Sequence, residues 1–115
     1  MVDIEAVKAF SALAQEHRLA VFRLLVQEGP NGLPAGEIAK SIGISPSSMS
    51  FHLSNLENSG LVHSWRDQRR IIYAANYEIT RKLLSFLTED CCAGRPEICG
   101  DLARLSIPCD EDVEG

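Results

Sequence analysis

Two short helices joined by only two residues constrain this chain more than any other feature of its sequence. Gly43 ends a helix whose apolar positions include Ile38 and Ala39, since glycine is the common residue at a helix C-terminus. Ser45 then supplies an N-cap, and Pro46 takes the first helical position, where its missing N–H costs nothing. A tight turn between two short helices is typical of a helix-turn-helix.

Helical periodicity predicts three further helices around this pair. The first covers residues 3–15 with Asp3 as a possible N-cap, and the second runs from about Glu16 to the breakers at 29–32. The last begins at about Tyr77, and its apolar residues are expected to point inward. The apolar residues at helical spacing are Ile4, Val7, Phe10, Leu13 and Ala14 in the first helix, Leu19, Phe22, Leu25 and Val26 in the second, and Ile79, Leu83, Leu84 and Leu87 in the last.

A β-hairpin is predicted between the serine-rich helix and the last one. The apolar period changes after Gly60, and residues 61–66 and 70–75 are short β-prone runs joined by residues 67–69. The resulting order is helix, helix, short helix, helix, hairpin, helix. This order predicts a mainly α fold with a β-hairpin wing, a winged helix-turn-helix; a small α+β domain whose second central helix merely packs is the alternative.

The helix that begins at Pro46 has an outward face suited to reading DNA. If Met49, Leu53 and Leu56 face the core, a rotation of 100° per residue turns hydroxyls, an amide and one aromatic ring outward, without an acid among them. Such groups can hydrogen-bond to base edges or contact a thymine methyl. The candidate DNA contacts are Ser45, Ser47, Ser48, Ser50, Phe51 and Asn55, with His52 on the flank. His52 could equally cap helix–hairpin packing, and Phe51 could belong to an interface.

The hairpin adds a positive cluster to this surface. The net charge is −5, but residues 60–82 carry five positive residues against two acids, whereas residues 83–115 carry two against eight. The candidate contacts to phosphates or the minor groove are Arg66, Gln68, Arg69 and Arg70. A solvated run of charge is the alternative, but its position beside a serine-rich helix favours contact with phosphates.

The motifs are similar to those of a known family. Residues 43–62, together with Glu16-His17-Arg18-Leu19 upstream and Arg69-Arg70-Ile71-Ile72-Tyr73 downstream, resemble the ArsR/SmtB family of bacterial metal-responsive repressors over residues 5–90. The resemblance implies a homodimer through the first and last helices, which binds an inverted repeat in operator DNA and is released by metal. Phe51 stands where many members have arginine, so the base preference does not carry over.

The four cysteines point to the effector. Cys91, Cys92 and Cys99 form a compact group, and Cys109 follows in an acidic end. The chain carries no signal peptide or membrane-spanning run, so we expect it in the cytoplasm, where thiols stay reduced and a cysteine cluster favours metal binding. Trivalent arsenic takes three thiolates, and antimony(III) behaves similarly. The pattern resembles that of arsenic-responsive members with a site just after the last helix.

Other readings of the cysteines remain open. Zinc or cadmium could take all four thiolates, including Cys109, and a vicinal or longer disulfide could form a redox switch, although acidic neighbours disfavour the thiolate that oxidation requires. The arsenic-binding subtype with cysteines beside the short helix is excluded, because Pro34 and Gly36 stand there. An enzyme is not expected, since residues 99–104 lack the spacing of a phosphate-binding loop.

The sequence thus predicts two parts. Residues 1–92 form a winged helix-turn-helix for DNA binding and dimerisation, and residues 93–115 form an acidic tail containing cysteines. The predicted function is that of a cytoplasmic repressor of an arsenic-resistance operon, released from its operator when As(III) binds Cys91, Cys92 and Cys99. A Zn/Cd-responsive repressor and a redox-switch repressor are the alternatives.

Overall fold

The computed structural model describes residues 2–88, which form five helices and three short strands. The elements are α1 (Asp3–Leu13), α2 (Glu16–Glu28), β1 (Leu33–Pro34), α3 (Ala35–Ile42), α4 (Pro46–Asn58), β2 (Val62–Asp67), β3 (Arg70–Ala75) and α5 (Tyr77–Thr88). This order confirms the predicted mainly α fold with a β-hairpin wing.

The core confirms the apolar face predicted for α4. Met49, Leu53 and Leu56 are at most 1% exposed, and α4 packs on α1, α2, α3 and β2. The largest fully buried side chains are Leu25, Ile38, Met49, Leu53, Leu56, Leu61, Val21 and Val62. Burying a large aliphatic side chain stabilises a fold by about 1.5–3 kcal/mol, so this cluster fixes the position of α4 and thereby of its opposite face.

The outer helices α1 and α5 leave large apolar side chains exposed in the single chain. α1 buries its alanines Ala6, Ala9 and Ala12, which let the helix approach its neighbours closely, while Ile4 and Val7 remain 77% and 61% exposed. Three further exposed apolar side chains are Phe10 on α1, Leu19 on α2 and Leu87 on α5. The expectation that Leu87 points inward is wrong for the single chain, in which Leu83 is the buried residue of α5.

The start of α1 also requires a correction. Val2, not Asp3, is the N-cap, and its backbone N–H donates to the Glu5 carboxylate at 3.1 Å. The start of α2 at Glu16 is confirmed, with the Gln15 side chain accepting a hydrogen bond from the backbone N–H of Arg18 at 2.9 Å. The Glu5 carboxylate thus satisfies one of the backbone donors at the start of α1 that have no partner within the helix.

β1 is the element that the sequence did not predict. Leu33 and Pro34 pair antiparallel with Tyr73 and Ile72, which places β3 between β1 and β2 in a three-stranded sheet. Gly32 makes this pairing possible, because its φ is +67° and a Cβ there would collide with the Tyr73 carbonyl oxygen. Pro34 ends β1 and also serves as the N-cap of α3.

Candidate DNA-binding surface

The turn between α3 and α4 sets the direction of the candidate reading helix. Gly43 has a left-handed backbone with φ +84°, and its N–H donates to the Ala39 carbonyl at 2.8 Å. The hydroxyl of Ser45 accepts the Ser48 backbone N–H at 3.2 Å, and Pro46 is the first helical residue. Both local predictions are confirmed. They turn the chain within three residues, 43–45, so that α3 and α4 pack on each other.

The outward face of α4 presents the predicted small polar residues. The exposed candidates are Ser45, Ser47, Ser48, Ser50 and Phe51, which is 64% exposed. Asn55 is half-buried, and its amide nitrogen donates to the Phe51 carbonyl oxygen at 3.0 Å. The side-chain oxygen of Asn55 makes no hydrogen bond within residues 2–88. The amide is therefore held in place by its nitrogen, while its oxygen can accept a hydrogen bond from a ligand.

His52 differs from the other candidates because it is only 9% exposed. Its Nδ1 lies 3.3 Å from the Arg18 guanidinium, and its ring centroid is 5.6 Å from that of His17. Arginine can only donate, so Nδ1 accepts and the proton of the neutral ring is assigned to Nε2. Burial, then the charges of Arg18 and His17, lower the pKa of His52 below its ordinary value. His52 packs against His17 and Arg18 of α2, and its ring also lies edge-on to the exposed Phe51 ring, with 5.7 Å between the centroids.

Arg18 is a structural residue that the sequence reasoning did not single out. Its Nε donates to the Ala12 carbonyl oxygen at 2.7 Å, and its Nη1 donates to His52. One side chain thus joins the end of α1, the start of α2 and the middle of α4. The only sequence signal was its place in the Glu16–Leu19 motif, which gave no indication of a contact 34 residues away.

The wing carries its four predicted residues in exposed positions. Arg66 donates to the Gln68 carbonyl oxygen at 3.0 Å, and Arg70 forms an ion pair with Asp67 at 3.5 Å. Arg69 makes no hydrogen bond or ion pair within residues 2–88. The tip turns at Gln68, the one non-glycine residue of the described chain with a positive φ. Of the three arginines of the wing, Arg69 is therefore the one whose guanidinium has no competing contact within residues 2–88.

A single hydrogen bond links the wing to the reading helix. The Ser64 hydroxyl of β2 donates to the Glu57 carboxylate of α4 at 2.6 Å. Glu57 also contributes to the raised pKa of Tyr73 on β3, after burial of the phenol. The acid near the end of α4 thus faces the hairpin and not the serine-rich face.

The predicted metal ligands Cys91, Cys92 and Cys99 lie outside the described residues. Between residues 2 and 88, no three His, Cys, Asp or Glu side chains are grouped to hold a metal ion. The same stretch contains no helix of the length and apolarity needed to cross a bilayer.

The fold and its exposed polar helix define a winged helix-turn-helix protein, and comparisons with known proteins agree. A family described as a helix-turn-helix domain matches residues 13–64. The HTH-type transcriptional regulator YgaV of Escherichia coli (strain K12) is 31% identical over 88 residues, which are 76% of this chain and 87% of YgaV.

Two solved structures refine the class. An ArsR family transcriptional regulator is 28% identical, with a TM-score of 0.65 over 75% of this chain and 91% of that one. The homodimeric winged helix-turn-helix domain of a possible ArsR-family regulator from Mycobacterium bovis shares the fold at 24% identity, with a TM-score of 0.61 over 75% and 80%. The chain belongs to the ArsR-like family of winged helix-turn-helix transcriptional regulators, and it is a DNA-binding regulator and not an enzyme.

Proposed function

We propose that this regulator is a homodimeric repressor of an arsenic-resistance operon, released from its operator when As(III) binds Cys91, Cys92 and Cys99. The observation that carries the DNA-binding part is the exposed face of α4, which offers hydroxyls, Asn55 and Phe51 without an acid. The part that concerns arsenic rests on the grouping of three thiols directly after the last helix.

The proposed dimer is supported by the apolar residues that the single chain leaves exposed. Ile4, Val7 and Phe10 share α1, and Leu87 lies near the end of α5. Contiguous exposed apolar surface marks interaction sites in soluble proteins. A homodimer through α1 and α5 would cover these residues and set the distance between the two copies of α4, as an inverted-repeat operator requires.

The proposed DNA contacts divide into two roles. Ser47 and Asn55 read base edges, while Arg69 and Arg70 contact phosphates and determine the dependence on salt. Arg69 has no partner within residues 2–88, whereas Arg70 must give up part of its ion pair with Asp67. Replacing Arg69 by Ala should therefore weaken binding to all duplexes more than replacing Arg70.

The proposed effector chemistry follows from the neutral form of arsenite. Each cysteine thiol replaces one hydroxyl of As(OH)₃ and releases one water, so three thiols give a neutral tris-thiolate and three waters. No charge has to be buried, which suits thiols among acids such as Glu89, Asp90 and Glu97. Antimony(III) would react in the same way. α5 includes Thr88, which stands three residues before Cys91 in the sequence, so occupancy of the proposed site would act next to the proposed dimer surface.

Fluorescence anisotropy of a labelled duplex from the upstream region of its gene tests the proposal. Arsenite should release the reduced wild-type protein, and the effect should be about 5–150-fold in affinity, the usual range of allosteric coupling. Cys91→Ser, Cys92→Ser and Cys99→Ser should each bind the duplex normally and remain bound in arsenite. Cys109→Ser is the matched control and should still be released.

Different outcomes identify the alternatives. Release by zinc or cadmium, lost in Cys109→Ser, would replace the arsenic proposal with a four-thiolate site. Release by a mild oxidant, reversed by a thiol reductant, would replace it with a redox switch. In the DNA part, an unchanged preference for operator over random duplex in both Ser47→Ala and Asn55→Ala would show that this face of α4 does not read the bases.

A further inference from the structure

A cleft of about 570 Å³ lies between α1, the start of α2 and the C-terminal half of α4. Its polar lining residues are Lys8, Ser11, Arg18, Asn55, Asn58 and Ser59, and no acid lines it. The lining therefore offers two positive charges together with hydroxyl and amide donors. Guanidinium, ammonium, amide and hydroxyl groups are the donors that proteins use for phosphate oxygens.

Lys8 is available for a ligand. It is exposed and makes no ion pair within residues 2–88. Two acids, Glu5 and Glu57, share a neighbouring cleft with Lys8. Each acid has another partner, because Glu5 accepts from the Val2 backbone N–H at 3.1 Å and Glu57 accepts from the Ser64 hydroxyl at 2.6 Å. The ammonium group is left without a carboxylate partner beside a cleft that contains none.

Arg18 is held in position at the same cleft. Two of its nitrogens are fixed, Nε by the Ala12 carbonyl at 2.7 Å and Nη1 by His52 at 3.3 Å. Nη2 makes no hydrogen bond within residues 2–88, so its two N–H groups remain. An arginine whose side chain is already ordered loses little conformational entropy when it binds an anion.

The cleft continues the outward face of α4. Phe51, Asn55 and Asn58 follow one another at i, i+4 and i+7, and the last two line the cleft. From Ser47 to Asn58 a helix rises about 16 Å, which exceeds the major groove width of about 12 Å. If the start of α4 reads bases, its end lies at the edge of the groove, where the phosphates are.

We propose that this cleft is a phosphate site, with Lys8 and Arg18 as its cations and a backbone phosphate of bound DNA as its occupant. This occupant rests on the proposed function; a free phosphate or another small phosphorylated ligand has the same chemistry. The site adds to the wing a second anchor at the other end of the reading face, and it fixes the angle at which α4 enters the groove.

The test uses Lys8→Gln, which removes one exposed charge and spares the structural contacts of Arg18. Lys82→Gln is the matched control, because Lys82 lines the neighbouring cleft with Lys8 but not this one. Affinity for operator and random duplexes is measured between about 50 and 200 mM salt, the range over which the salt dependence of phosphate contacts is compared. In parallel, inorganic phosphate is titrated into the DNA-free protein, and the side-chain amide signals of Asn58 are followed by NMR.

With DNA as the occupant, Lys8→Gln weakens binding equally on both duplexes and lowers the slope of log affinity against log salt. The slope should fall by about 0.9 per subunit, hence about 1.8 per dimer, while Lys82→Gln changes it by less than half as much. If Lys8→Gln leaves DNA binding unchanged but abolishes the phosphate-induced shifts of Asn58, the site is confirmed with a free anion as its occupant.

Two results would overturn the phosphate site. One is an equal effect of Lys8→Gln and Lys82→Gln on the salt slope together with unshifted Asn58 signals in the phosphate titration. This result would indicate only diffuse electrostatic attraction. The other is an unchanged slope together with unshifted Asn58 signals. A wild-type protein that binds no duplex would refute the proposed function instead, and the phosphate titration would still decide on the cleft.

Discussion

Replacing Arg18 by Met should destabilise the fold, because this substitution keeps the aliphatic stem and removes the guanidinium that joins three helices. The hydrogen bond from Nε to the Ala12 carbonyl is short, at 2.7 Å, and a bond from a charged donor contributes about 1.5–3 kcal/mol. The contact with His52 is longer, at 3.3 Å, and adds about 0.5–1 kcal/mol. We expect a loss of about 3 kcal/mol in the free energy of unfolding.

A loss of this size is large for a small domain. Each kcal/mol lowers the Tm of a domain of 60–100 residues by about 4–8 °C, so Arg18→Met should lower it by roughly 12–24 °C. Arg23→Met is the control, since Arg23 lies exposed on the same helix without a hydrogen bond or ion pair within residues 2–88. Its effect should stay within about 0.5 kcal/mol. Thermal and urea unfolding are compared at one protomer concentration, because a dimer's stability depends on concentration.

The titration of His52 gives a second, independent readout. After burial, the charge of Arg18 is the next cause of the lowered pKa of His52. In Arg18→Met this pKa should rise toward its ordinary value, as NMR of the His52 ring would show. Equal losses of stability in Arg18→Met and Arg23→Met, or an unchanged His52 titration in a folded Arg18→Met protein, would refute the role of Arg18 as the link between α2 and α4.

Three further predictions concern pH, the cap of α4 and the apolar face of α1. The folded chain disfavours protonated His52, so the contribution of neutral His52 to stability is complete above about pH 6.5 and is lost as the pH falls from there toward the lowered pKa. The free energy of unfolding is measured in urea for wild type and His52→Gln at about pH 7.5 and about pH 5.5, above and below the ordinary histidine pKa. It should decrease less between these two pH values in the variant. Ser45→Ala should cost about 1 kcal/mol in thermal unfolding, whereas Ser54→Ala, at an exposed position without a hydrogen bond, should not. Val7→Glu should shift a dimer toward monomer in analytical ultracentrifugation, whereas Val26→Glu, at an exposed position of α2, should not. A monomeric wild type would contradict the proposed dimer.

Local rules of the chain explain why much of the fold was predictable. The Gly43 turn, the Ser45 cap, the first helical residue Pro46 and the apolar stripe of α4 each depend on neighbours within a few residues. Backbone geometry and side-chain spacing decide such features whatever the rest of the chain does. The residue types on the outer face of α4 follow from the same helical spacing.

Contacts between distant residues decided what the sequence could not. β1 exists because Leu33 and Pro34 pair with a strand about forty residues later, and no local propensity marks a two-residue strand. His52 sits on the same helix as Phe51, yet Arg18 and the packing of α2 bury it. Periodicity predicts the direction of a side chain from its helix, but not which neighbouring element covers it.

The outer helices show the same division most clearly. The sequence determined that α1 and α5 carry apolar residues at helical spacing, and it predicted an inward face for those of α5. The tertiary structure decided that α1 approaches its neighbours through Ala6 and Ala9 and leaves Ile4 and Val7 exposed. Small residues allow the closest contact between helices, so the bulkier apolar residues of α1 are left for a surface that a single chain does not bury.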